Sequence, residues 1–271
     1  MKKKANVLLI ACCILAFQMT GLCADNPEQL VAEHLKSIGD PDAISQVKSI
    51  SFTGTSFVKF IQGMQGQLLG TSKLVSQGSK MAIVMGFNNL DYPGEHFAFD
   101  GKNVTVTNMQ PGVKSPVADF IHRYNRIMTN GMLGGVFSNA WPLLDIKTNK
   151  PNMKLRKTKV DGSELYEIEY RPRSNHGEMR IRLFFDPETY RHVRTEYKVS
   201  TRIGERDLYD TLTEKFENFK KAGDLTLPHN YTIEYMTDGA QTAFIGTWDM
   251  EVTDWTFNAP DIDQQLFRVD K

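Results

Sequence analysis

From Lys48 to Phe257 the chain repeatedly places apolar residues at every second position, and this alternation is the strongest constraint on its fold. Ile50, Phe52, Val58 and Phe60 share one side of the first such run, with Ser51, Thr53, Thr55 and Lys59 on the other. Met81, Ile83, Met85 and Phe87 repeat the pattern, as do Tyr166, Ile168 and Tyr170 against Glu167 and Glu169. Val193, Thr195, Tyr197 and Val199 oppose Arg194, Glu196 and Lys198, and Phe244, Trp248, Met250 and Val252 oppose Asp249, Glu251 and Thr253. A period of two with one apolar side means strands with one buried face. Turn residues at Asp100-Gly101, Asp161-Gly162 and Asp186-Pro187 join consecutive runs, so antiparallel pairing follows.

Helical spacing interrupts this pattern in two places. Asn26, Pro27 and Gln29 mark a helix start, Leu30, Val31, His34, Leu35 and Ile38 fall on one face, and Gly39 stops it. A second short turn is expected over residues 42–47. Ser115-Pro116 starts another helix, carrying Val117, Phe120, Ile121, Tyr124, Ile127 and Met128, and Gly131 ends it. Leu133, Val136, Phe137, Ala140, Trp141 and Leu144 predict a further helix. The expected fold is α+β and mainly antiparallel β: an open, incomplete β-barrel of about ten or eleven strands covered by three or four helices.

Residues 1–24 read as a signal peptide: Lys2, Lys3 and Lys4, an apolar run from Val7 to Phe17, and a small-residue end with cleavage expected after Ala24. The full chain of 271 residues balances 32 basic against 32 acidic side chains. The expected leader holds three lysines, no acid and all three cysteines (Cys12, Cys13, Cys23). Residues 25–271 are then slightly acidic, free of cysteine and read as one domain. Disulfides, thiol catalysis and cysteine-bound metal are excluded there, and no basic excess points to nucleic acid.

Catalytic signatures are missing from the sequence. His34, His96, His122, His176, His192 and His229 have no zinc-ligand spacing, and no nucleophile elbow, P-loop or dinucleotide fingerprint occurs. Glu167 and Glu169 lie near Arg180, Arg182, Arg194 and Lys198 in the expected pairing, which reads as a cross-strand charge ladder. The expectation is a protein without catalytic residues, metal or cofactor.

A sheet of this size encloses space that inserted helices, a ligand or both must fill. The candidate lining of such a cavity is Phe52, Phe60, Met81, Met85, Phe120, Tyr124, Met128, Phe137 and Trp141. Methionine suits walls that accept variable apolar ligands.

Three stretches carry a resemblance: Leu183-Phe184-Phe185-Asp186-Pro187-Glu188-Thr189 with His192-Val193-Arg194, Phe216-Glu217-Asn218-Phe219 leading to Leu227-Pro228, and Ala32–Gly39 leading into Val47-Lys48. In order and spacing the chain resembles the bacterial outer-membrane lipoprotein-sorting proteins, the Lol-type periplasmic carriers. The resemblance implies a half-barrel covered by helices, a periplasmic location and a hydrophobic cavity. Lipid acyl chains or lipoproteins would be the ligands, with an envelope protein as a further partner. The best-known carrier's gating arginine has no matching position here. A second reading stays open: a structural or protein-binding envelope module on the same fold, with a filled interior.

Overall fold

The computed structural model describes residues 24–173, 179–203, 206–238 and 243–269. The expected leader up to Cys23, which holds all three cysteines, and the candidate His176 lie outside them. Twelve strands form a single antiparallel sheet that does not close into a barrel. In chain order they are β1 (Ser49–Gln62), β2 (Gly66–Gln77), β3 (Lys80–Phe87), β4 (Gly94–Phe99), β5 (Val104–Val106), β6 (Asn152–Val160), β7 (Ser163–Arg171), β8 (Arg180–Phe185), β9 (His192–Ile203), β10 (Arg206–Ala222), β11 (Leu225–Thr237) and β12 (Phe244–Phe257). Their order across the sheet is β5-β4-β3-β2-β1-β12-β11-β10-β9-β8-β7-β6. The first and last strands therefore meet in the middle, with Ile50 opposite Phe257 and Phe60 opposite Gly246. Residues 107–151 link one edge of the sheet to the other.

Two helices precede the sheet. In α1 (Pro27–Ile38) the Asn26 side chain accepts from the Gln29 amide at 2.8 Å, and Gln29 Oε1 accepts from the Asp25 amide at 3.1 Å. These reciprocal bonds satisfy amides that the first turn leaves free. Leu30, Val31, His34 and Ile38 form its buried face. Asp40 caps the six-residue α2 (Pro41–Gln46) through the Asp42 amide.

The inward face of the sheet is the expected one, apart from changes at two of its three register shifts. Between Thr53 and Gly54 the pairing with β12 skips Thr253, so Trp255 and Phe257 replace the even-numbered residues as inward-facing. Between Phe184 and Phe185 the pairing skips Val193. His192, not Val193, is consequently the buried residue, because a bulge reverses which side chains point inward. On the outward face the register sets Lys154 opposite Glu169, Glu169 opposite Arg182 and Arg182 opposite Glu196, a row of alternating sign over four strands. Arg182 hydrogen-bonds Glu196, and Arg156 reaches Glu167 at 2.6 Å. The expected ladder is present, except that Lys198 lies over the Tyr209 ring at 4.1 Å.

The linking segment packs on the inner face. It contains α3 (Pro116–Arg123), α4 (Arg126–Thr129), 3-10 turns at Gly135–Phe137 and Pro142–Asp145, and α5 (Ile146–Asn149). The Ser115 side chain caps α3 through the Ala118 amide at 3.0 Å. The helix expected over 133–144 does not form. Gly134 and Gly135 adopt φ of 81° and 50°, outside the right-handed helical region, and Pro142 has no amide hydrogen to donate. Phe137, Trp141 and Leu143 are fully buried nonetheless, since 3-10 turns also bury every third residue or so. At the far end of the chain a 3-10 turn, Gln264–Phe267, covers the outward-facing Val75 and Ala82.

Candidate functional site

An apolar groove of about 560 Å³ opens between α1, α2 and the linking segment. Ala32, Leu35 and Ile38 come from α1, Pro41 and Ile44 from α2, Val136 and Leu144 from the linking segment, and Ile50 and Leu225 from β1 and β11. Asn139 holds this wall in place: its side-chain amide donates to the Val47 carbonyl at 3.0 Å, and its backbone amide donates to Ser76 Oγ at 2.9 Å. The volume falls in the range of small-molecule sites, about 300–1,000 Å³. The polar groups on its walls are Lys36, Ser45, Ser138 and Asn139. A polar cleft of about 680 Å³ adjoins it, sharing Lys36 and Pro41 and lined also by Asp40, Lys221 and Asp224.

The nine residues expected to line a cavity are placed elsewhere. Phe52, Phe60, Met81, Met85, Phe120, Met128, Phe137 and Trp141 are buried in the main core, and Tyr124 packs against it half-buried. Phe52 and Phe137 meet at 5.5 Å between ring centres, and Phe120 and Tyr124 at 4.9 Å. Phe60 lies toward the opposite end of β1, against Tyr92 and Trp248. None of the nine is on the groove wall. Of the groove residues, Leu35, Ile38, Ile50, Val136 and Leu144 carried a visible apolar pattern. Ile44 on α2 and Val47 just after it are apolar residues that so short a helix does not bury.

Inside the sheet lies a set of buried polar groups that no sequence motif marks. Glu214 is wholly buried between Leu212 and Phe216. Its Oε1 accepts from the Gly134 amide at 2.7 Å and from the Tyr231 hydroxyl, and its Oε2 accepts from the Tyr197 hydroxyl at 2.9 Å. Tyr197 also reaches the Met132 carbonyl at 3.0 Å. Burial outweighs these bonds and pushes the Glu214 carboxyl up to about 7. The position was legible in principle, because Leu212-x-Glu214-x-Phe216 puts the acid on the inward side. Glu95 repeats the arrangement near the other end: Tyr92 donates to it at 2.6 Å, Trp248 donates to Tyr92 at 2.6 Å, and burial lifts Glu95 to about 7.

His34, Trp141 and His192 form a third buried group, with His34 5.2 Å from Trp141 and 6.1 Å from His192. His34 Nδ1 bonds the Tyr190 carbonyl and His192 Nε2 bonds Thr195 Oγ1, each at 3.0 Å. Burial lowers His34 to about 4 and His192 well below the usual range, so both rings are neutral near pH 7. These groups tie the linking segment and α1 to the sheet. Glu214, Glu95, His34 and His192 are absent from the groove wall. His96 and His229 bond backbone carbonyls, and His122 is exposed.

No family model matches the chain, and no curated protein matches it. Among solved structures, the chain is similar to a domain from Vibrio parahaemolyticus described as belonging to an outer membrane lipoprotein-sorting protein. That match has a TM-score of 0.47 and 13% identity, covering 88% of this chain and 95% of that one. A second similar structure is MucB in complex with MucA(peri), with a TM-score of 0.22 and 11% identity over 82% of this chain and 94% of that one. No helix among the described residues is long and apolar enough to cross a membrane.

Proposed function

We propose that this protein is a non-enzymatic carrier or sensor of lipid or lipoprotein acyl chains in the periplasm, and that its binding site is the groove between α1, α2 and the linking segment. The groove itself carries the reading: about 560 Å³ of mainly apolar wall, formed by residues from the helices, the linking segment and the sheet. Transfer of each methylene from water contributes about 0.8 kcal/mol, so one alkyl chain needs no specific polar contact to be held. The periplasmic location is supported by the basic and apolar pattern of residues 2–17 and by the absence of cysteine from residues 25–271. The non-enzymatic reading is supported by the separation of the groove from the buried titratable groups. Lys36, Ser45, Ser138 and Asn139 offer no nucleophile paired with a base.

Native mass spectrometry after gentle purification tests this, with a bound lipid as the expected result. Val136→Trp, which fills the groove from a half-buried position, should abolish that lipid with little change in melting temperature. Lipid that persists at parental occupancy in this variant would place the ligand elsewhere. Consistent absence of lipid from the parent protein would favour the second reading, a protein-binding envelope module. One observation already favours that alternative: the residues expected to line the interior pack against one another as core.

A further inference from the structure

The sheet has two lateral edges, and they differ. The β5 edge is three residues long, and the C-terminal tail crosses it: the Val269 amide donates to Thr105 Oγ1 at 2.8 Å, and Arg268 pairs with Asp100 at 3.0 Å. The β6 edge is nine residues long, and among the described residues no strand pairs with its outer side. Nine residues of strand present about 30 Å of backbone, half of whose amides and carbonyls point away from β7.

The residues on and before this edge have one sign. Between Ile146 and Val160 the chain has Lys147, Lys150, Lys154, Arg156, Lys157 and Lys159 and no acid. All six are exposed. Arg156 is paired with Glu167, and Lys157 lies over the Tyr166 ring at 5.6 Å. Lysines on an open edge prevent two copies of the same edge from pairing, because like charges would face each other across the new ladder. They leave an oppositely charged strand free to add.

The charge row across the outward face identifies that strand. Reading inward from the edge, Lys154, Glu169, Arg182 and Glu196 alternate in sign strand by strand. One further step outward from Lys154 calls for a carboxylate. We propose that the β6 edge binds an extended acidic segment of a partner protein, which adds as a thirteenth, antiparallel or parallel, strand. Backbone hydrogen bonds would supply the pairing, and the row of basic side chains would select the sign. This surface is separate from the groove and does not depend on what the groove holds.

The probe is a synthetic nine-residue peptide alternating Glu with Val and Ile, added to the full mature chain and followed by fluorescence anisotropy and hydrogen exchange. Binding is expected, with new protection confined to the β6 amides that do not bond β7. Replacing Lys154 by Gln should weaken it about threefold or more, as should salt sufficient to cut the screening length to about 3 Å. The Lys154 side chain is exposed, so the variant should keep the parental melting temperature. A peptide of the same charge interrupted by prolines, which cannot complete a ladder, should bind at least tenfold more weakly. Equal binding of the proline-interrupted peptide would overturn strand addition in favour of a diffuse basic patch. Protection that appears elsewhere would also overturn it, as would capture by anionic phosphatidylglycerol vesicles without peptide binding.

Discussion

Phe137 meets four rings, those of Phe52, Phe216, Tyr231 and Trp255, at centroid distances of 5.4 to 5.8 Å. A side chain so enclosed is core, and Phe137→Ala should cost about 3–5 kcal/mol in urea unfolding. A loss below about 1 kcal/mol would mean that the ring borders open space. Alternation and helical spacing identified Phe137 as apolar and inward. They carried no information on whether other rings or a ligand would meet it, because that depends on how far the linking segment descends toward the sheet.

Glu214 offers a sharper test at the same scale. Its carboxyl is raised to about 7 in the folded chain from the usual 4.5, so the unfolded chain gives up this proton first as pH rises. The group therefore removes stability between about pH 4.5 and 7, on the order of 3 kcal/mol in all. His34 acts in the opposite sense. Lowered to about 4, it leaves the unfolded chain binding the extra proton below about pH 6.5, so stability is gained as pH rises through that window. The two slopes oppose each other in the parent protein, and comparison with Glu214→Gln isolates the first. The stability of this variant relative to the parent should rise between pH 5 and pH 8 in paired denaturation curves. A difference independent of pH would show that Glu214 does not titrate in this range.

Elements were most legible where capping and periodicity agreed. Asn26 and Ser115, each followed by proline, mark the starts of α1 and α3, and Asn26→Ala should cost about 1 kcal/mol of thermal stability. Strand positions followed from alternation, as in β3, where Met81, Ile83, Met85 and Phe87 all lie on the buried side. The segment after Gly131 carries helical spacing but forms 3-10 turns, because apolar residues every three or four positions suit both an α-helix and successive 3-10 turns. Backbone conformation separates the two. Gly134 sits at φ 81°, and a Cβ there would lie 2.2 Å from the Met81 methyl group. Gly134→Ala should lower stability by about 1–3 kcal/mol, since both the left-handed backbone and the Met81 contact resist it. It should also loosen the Gly134 amide bond to Glu214, readable as faster exchange of that amide. Unchanged stability would mean that the turn is not fixed as described.

At the scale of the molecule, the sheet was legible as one antiparallel meander, but the meeting of β1 with β12 was not. Alternation reports which face is buried and is silent on which strands are neighbours. The groove was hidden for the same reason, since its walls come from residues as distant as Leu35, Val136 and Leu225. The central pairing also sets how the chain folds. β1 cannot join β12 until almost the whole domain has been gathered, and such non-local closure places refolding in milliseconds to seconds rather than microseconds. Trp248 and Trp255 lie on β12 and report this step directly. Stopped-flow fluorescence should show their burial in the slow phase, and a complete signal within microseconds would contradict the ordering.

The same connectivity divides the chain in a way its single core conceals. Strands β1–β5 and β6–β12 are each contiguous in both sequence and sheet, and they touch as sheet only where β1 pairs with β12. Residues 107–151 are the sole covalent link between these two half-sheets. A protease cut in that link, for instance at the exposed 110–113 turn, would leave two fragments with complementary surfaces, and the protein would behave as a natural split pair that reassembles without its peptide bond.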